Sequence, residues 1–233
     1  MSPQLASRIA LPAALAFAAL RSAPAQQPAQ QTAVDEATLT ISRNGAAVGR
    51  ESFRILQSVG DGRLLTSSAQ ISYGDRRVTP TLSADAAGTA LLYRVEVRAG
   101  GQLLERLQAT SRPGRLSAMR QTPQGEATKD YVVGAGAVVL DDDVFHHYAL
   151  LALARRTGAI TVVVPRLGAQ HAAQVTSRGD ENVTVDGRAV PATHWSIELP
   201  DGAREYWADA RGRLLKVSMP SRGLIALRDE IPQ

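Results

Sequence analysis

Apolar and polar residues alternate with period two along much of the chain. Leu39 and Ile41 fall on one side of a segment whose other side carries Thr38, Thr40 and Ser42. Tyr93, Val95, Val97 and Ala99 oppose Arg94, Glu96 and Arg98, and Trp195, Ile197 and Leu199 oppose His194, Ser196 and Glu198. Alternation of this kind describes strands with one face buried and one face wet. Turn signals recur between these segments: Asn44-Gly45, Asp61-Gly62, Gly100-Gly101, Pro113-Gly114, Asp186-Gly187, Asp201-Gly202 and Arg211-Gly212. Each places glycine where a tight reversal needs it. Short strands joined by tight turns predict a mainly β fold: a curved antiparallel sheet, as a half-barrel or open barrel.

One segment breaks the pattern. Asp141 to Arg156 reads as a single covering α-helix, apolar nearly all round. Val144, Tyr148 and Leu151 share one stripe, and His146, Leu150 and Leu153 share another. Asp142 or Asp143 is the expected N-cap, Arg155 and Arg156 face the negative end of the dipole, and Gly158 is expected to close the helix. A helix apolar on both sides is buried on both, or buries one and offers the other to a ligand. Ile160 to Val164, a continuous apolar run before Pro165, reads as a strand buried on both faces.

The first 25 residues have the build of a secretory signal peptide. Arg8 supplies the positive region, Ile9 to Leu20 the apolar region, and Ala23-Pro24-Ala25 the cleavage site. Residues 26–34 read as a flexible leader, and 35–233 as a single β-rich domain. The expected location is periplasmic or extracellular, with no stable transmembrane segment after cleavage. No internal repeat stands out. There is no cysteine, so the fold rests on its core alone. Arginine and lysine number 26 against 22 acidic residues, with the signs interleaved. No basic stripe with interleaved aromatics exists, so nucleic-acid binding is not expected.

The segment Trp207-Ala-Asp-Ala-Arg-Gly-Arg-Leu-Leu-Lys-Val217, with Val48-Gly49-Arg50-Glu51-Ser52-Phe53 near the start, carries a family resemblance. It resembles the hairpins of uncharacterised exported bacterial half-barrel proteins, themselves distantly similar to the Lol-type periplasmic lipoprotein carriers. The resemblance implies a curved sheet wrapped round a greasy cavity that helices cover. One departure is that a single covering helix is found where the carriers use more.

Glu51 shares its side of the strand with Phe53 and Ile55, and a carboxylate facing a β core is costly unless paired or wetted. It therefore lines a pocket, or a bulge at Gly49 turns it outward. Glu105 poses the same question. The expected ligand-binding set is Glu51, Phe53, Phe145, His146, Tyr148, Leu150, Leu151 and Leu153, taking an apolar small molecule, a lipid, an acyl chain or a partner's hydrophobic segment. No catalytic residue, metal or cofactor is expected, and motifs for hydrolases and phosphate-binding loops are missing. Two other readings stand beside this one. One is a metal-dependent or acid/base hydrolase using Asp142 and His146, with His171 or His194 as a third group. The other is a purely structural envelope protein. Trp195 and Trp207 read as core pegs.

Overall fold

The computed structural model describes residues 31–58, 64–134 and 136–233. The signal-peptide reading and the Asp61-Gly62 turn fall outside them. One sheet of fifteen strands holds the fold together. Eight strands form a first meander: β1 (Gln31–Arg43), β2 (Ala46–Ser58), β3 (Leu65–Tyr73), β4 (Arg76–Ala84), β5 (Ala90–Ala99), β6 (Gln102–Arg112), β7 (Arg115–Thr122) and β8 (Gly125–Val132). Then come β9 (Val138–Val139), helix α1 (His147–Leu153) and β10 (Gly158–Val164). A second meander closes the chain: β11 (Ala169–Val185), β12 (Arg188–Leu199), β13 (Gly202–Ala208), β14 (Leu214–Met219) and β15 (Leu224–Arg228). The first strand pairs with the last, so the two meanders become one curved sheet. Every pairing is antiparallel except that of β9 with β10. The parallel exception follows from chemistry, since only a crossover can join parallel neighbours and α1 is that crossover.

The turn signals act as expected. Asn44-Gly45, Gly100-Gly101 and Asp186-Gly187 have paired positive φ values at the β1–β2, β5–β6 and β11–β12 reversals. That is the hairpin geometry whose twist matches the flanking strands. Residues 31–34, assigned to a leader by their composition, instead begin β1, where Gln31 pairs with Ser58 and Ala33 with Leu56. Polar, unpatterned side chains do not prevent a ladder when a neighbouring strand supplies the backbone partners.

The inward positions of both meanders and nearly all of α1 merge into one hydrophobic core. Ile160, Val162, Val163 and Val164 are buried between β9 and β11, as the apolar run predicts. Trp195 is a peg of this core. Trp207 belongs to a second, smaller cluster with Val183, Val185, Ala192 and Leu215. There the β11–β12 ribbon, extending past its pairing with β10 and β13, folds its apolar residues onto the outer face.

Candidate functional site

The helix is shorter than its sequence pattern. It runs over seven residues, has His146 as N-cap, and carries no side-chain cap of its own. Asp142 and Asp143 do not cap it. Asp143 sits at φ 56, which takes the chain out of helical geometry before the helix begins. Both carboxylates instead bind Arg222, at 2.6 and 2.7 Å.

The cap comes from the sheet. Glu51, fully buried on β2, accepts the backbone N–H of Phe145 and of His146, both at 2.8 Å. Its Oε1 also lies 2.5 Å from Nδ1 of His146. These are the amides of the N-cap residue and of the residue before it, and a carboxylate at that point also complements the positive end of the helix dipole. The question the sequence posed is thus answered: Glu51 faces inward, and its charge is spent on the helix. A bulge does occur at Val48, where the register shifts between Ile41 and Ser42. It lies on the turn side of Glu51 and leaves the orientation of Glu51 unchanged. Gly49 is required there for another reason, because a Cβ would stand 2.6 Å from the Tyr73 ring.

A second buried polar group adjoins the first. Asp141 accepts from the Tyr93 hydroxyl at 2.5 Å and from Nε of Arg166 at 2.6 Å. The backbone N–H of Asp141 lies 3.4 Å from Nδ1 of His147. The His146 and His147 rings meet edge to face at 4.7 Å. Burial, then the neighbouring His146 and the Arg166 guanidinium, hold the His147 imidazole well below its ordinary pKa. Burial, then the Asp141 carboxylate, push the Tyr93 phenol well up.

The far end of α1 is clamped by two turns of similar sequence, Asp85-Ala86-Ala87-Gly88-Thr89 and Asp209-Ala210-Arg211-Gly212-Arg213. In each, the aspartate Oδ1 accepts two backbone N–H groups, of Ala87 and Thr89 in one and of Arg211 and Arg213 in the other. In each, the glycine has positive φ and faces the helix. A Cβ on Gly88 would lie 3.3 Å from the Leu150 oxygen, and one on Gly212 only 2.9 Å from the Leu153 Cα. Arg156 donates to the Ala87 carbonyl and Arg155 to that of Ala210, tying both turns down. Gly158 does not close the helix. Arg155, at φ 47, takes the left-handed position, with Arg155 N–H on Ala152 and Arg156 N–H on Leu151. That is a Schellman ending built without glycine. The repeated Asp-Ala-x-Gly turn, one in each meander, is the internal repeat that the sequence reading passed over.

Phe145, His146, Tyr148, Leu150 and Leu151 are all 2 % exposed or less, and Leu153 is half-buried against the core. Both stripes of α1 are therefore packed, and the helix is a plug inside the sheet rather than a roof with one free face. Tyr148 borders a narrow crevice of about 50 Å³ with His171, Arg204 and Arg222. Asp142 and His146 do not form a pair: one is held by Arg222 and the other by Glu51. Their i, i+4 spacing carries no meaning, because the helix begins after both. Among the described residues, no three histidine, aspartate or glutamate side chains converge as a metal requires. Glu105 is buried on β6 with Arg120 at 2.8 Å, so its charge is paired across the sheet.

Phe53 stacks on the His146 ring at 5.7 Å and also reaches a second place. It lines an open cleft of about 600 Å³ between the first half of β1 and the C-terminal segment. The cleft is also bordered by Val34, Ala37 and Ile231, and by arginines 50, 211, 213 and 228. Asp35 and Arg228 form a buried ion pair beside it, at 2.8 Å. Burial raises the Asp35 pKa against the opposing pull of Arg228. The sequence contained this pair. Asp35 shares the inward parity of Leu39 and Ile41, and Arg228 that of Leu224 and Ala226, so opposite charges occupy core-facing positions in the first and last strands.

The sequence profile described as Domain of unknown function (DUF6134) matches residues 91–228, more than half of the chain. The chain belongs to the DUF6134 family. The family region runs from β5 to β15 and so includes α1, the buried Asp141 group and the second clamp turn. Glu51 and the first half of β1 precede it. No curated protein matches the chain. Among solved structures it is similar to a crystal structure from Brucella abortus, a beta-barrel-like protein of domain of unknown function DUF1849. The TM-score is 0.53 at 13 % identity, covering 88 % of this chain and 98 % of that one. At that identity the likeness concerns the fold. It agrees with the expectation of an uncharacterised barrel-like protein with a mainly β architecture.

Proposed function

We propose that this DUF6134 member is an exported, non-catalytic binding protein that takes an apolar ligand in the cleft beside β1. The observation that carries the reading is the cleft itself, of about 600 Å³ and reaching the inward-facing Phe53. That volume lies within the range of small-ligand sites, which run from about 300 to 1,000 Å³. Val34, Ala37 and Ile231 supply apolar wall, and the rim mixes arginines with carboxylates, Arg50 pairing with Asp229 and Arg228 with Asp35, so it suits a polar end of either sign. The resemblance to lipoprotein carriers supplies the ligand class, and the charged-then-apolar start of the sequence supplies the periplasmic or extracellular location. The site moves from beneath the helix to beside β1 because α1 fills the space it was expected to roof.

The test is binding of oleate and of a fluorescent apolar probe to the wild type and to Ala37→Trp, which fills the cleft. The wild type is expected to bind both, and the variant to lose about tenfold or more in affinity, about 1.4 kcal/mol. A wild type that binds no apolar probe or peptide overturns the reading. N-terminal sequencing of the exported protein is expected to begin at Gln26, and a chain retaining Met1 in a membrane fraction would contradict export as a free protein.

A further inference from the structure

We infer that the occupant of this cleft is a short extended peptide segment of another protein, added as a strand to the edge of β1 that meets no strand among the described residues. This rests on the binding reading above and narrows it from apolar ligands in general to one chemistry.

The reason lies in how the sheet closes. β1 is thirteen residues long and pairs with β2 from end to end. On its other side, β15 pairs only with Leu39 to Arg43. The last backbone bond of that ladder is from Asp229 N–H to the Thr38 carbonyl, at 2.9 Å. The next carbonyl pointing the same way, that of Glu36, is met by a side chain: Nη2 of Arg228 donates to it at 2.8 Å. Across the gap, the Asp35 carboxylate accepts the Leu214 N–H at 3.0 Å. The buried ion pair therefore satisfies the backbone where the neighbouring strand stops. Before it, β1 has β2 on one side and, among the described residues, no strand on the other, where Ala33 to Glu36 border the cleft.

In an antiparallel strand the N–H and C=O of one residue point to the same side. The Glu36 N–H is thus directed at the cleft, while its carbonyl is already held by Arg228. An acyl chain laid along this wall would remove that donor from water and return nothing. A peptide backbone returns the hydrogen bond. The volume fits as well. A strand residue occupies about 160 Å³, from its rise and the spacings between strands and between sheets, so about 600 Å³ holds about four residues. Phe53, Ala37 and Ile231 favour small apolar side chains on the inward side of such a segment. The bulge at Val34 breaks the regular edge, where the register jumps from Ala33 to Asp35. Bulges of this kind discourage long edge-to-edge pairing, so a short segment is favoured over a second copy of this barrel.

The test uses the full mature chain and two synthetic peptides of about five residues alternating valine and threonine. One is unmodified, and the other is N-methylated along one edge, so that it keeps its apolar surface but cannot extend a ladder. The unmodified peptide is expected to bind and to slow amide exchange between Gln31 and Glu36. The N-methylated peptide is expected to bind about tenfold or more weakly, because its methylated edge cannot donate to the ladder. Equal binding of the two overturns strand addition. Binding of oleate with neither peptide overturns it too, while leaving the broader binding reading standing. Binding of nothing removes both. Dimerisation in sedimentation runs that is blocked by Val34→Pro assigns the edge to a second copy and overturns the inference.

Discussion

The two ends of α1 are held by opposite means. At the N-terminal end the work is done by buried charge: Glu51 reaches from β2 to cap two amides and the His146 ring, and Asp141 gathers Tyr93 and Arg166. At the C-terminal end no buried charge takes part. Two Asp-Ala-x-Gly turns press glycines against the last helical turn, and backbone bonds finish it. A seven-residue helix is too short to persist alone. It is a local structure created by its surroundings, polar at one end and steric at the other. Perturbations of charge should therefore strike the first end and perturbations of volume the second.

The largest effect is expected from Glu51→Ala. It leaves two amides and an imidazole buried without an acceptor, each orphan costing about 1–3 kcal/mol. Urea unfolding should show a loss of about 3 kcal/mol or more, with Glu51→Gln losing less because one acceptor remains. Equal stability of Glu51→Ala and wild type would remove the capping role.

Gly212→Ala comes next. It forces a side chain to φ 83 and a Cβ to 2.9 Å from the Leu153 backbone, with about 1–3 kcal/mol of strain. Gly88→Ala, at φ 76 with its nearest atom at 3.3 Å, should cost less. Thermal melts that rank the two the other way would contradict the closer clamp at the second turn.

Acid should act first on the buried group at the charged end. His147 is held well below its ordinary pKa of 6.5 in the fold. The unfolded chain takes up a proton near that value while the folded chain stays neutral. Its contribution is intact above pH 6.5 and is lost as pH falls towards the folded pKa, at about 1.4 kcal/mol per unit. His147→Gln should flatten the stability profile between pH 6.5 and 5, and an unchanged slope would place the acid sensitivity elsewhere.

The smallest expected effect is Arg155→Gly. It relieves a left-handed arginine and gives up one exposed hydrogen bond to Ala210. A gain of up to about 1 kcal/mol in a denaturant titration is expected.

Much of the fold was legible because period two is a local property. The alternation around Leu39, Tyr93 and Ile197 identified the inward faces, and glycine pairs such as Asn44-Gly45 located the hairpins. The helix was legible as an element but not in its limits. Asp141, Asp142 and Asp143 look like caps by composition, yet their partners, Arg166 and Arg222, come from distant parts of the chain. Periodicity placed Glu51 on the side of Phe53 and Ile55 but could not exclude a bulge that turns it outward or show what meets it in the core. The cleft was least legible, because it arises where β15 ends before β1 does, and relative strand length is a property of the folded sheet. The paired parities of Asp35 and Arg228 were its one visible trace.

The pairing of first strand with last also sets the order of events in the life of the chain. The Thr40 hydroxyl bonds to Asp229 across a sequence separation of 189 residues. Bringing such distant points together costs about 5 kcal/mol of chain entropy, by the logarithmic growth of loop closure with length. None of that is recovered until the final strand arrives. A chain delivered from its N-terminus must therefore wait, with one flank of β1 unpaired, until β15 has emerged. Removal of β15 should leave both meanders able to form hairpins but unable to join, so the joining of the two meanders is timed by that one strand.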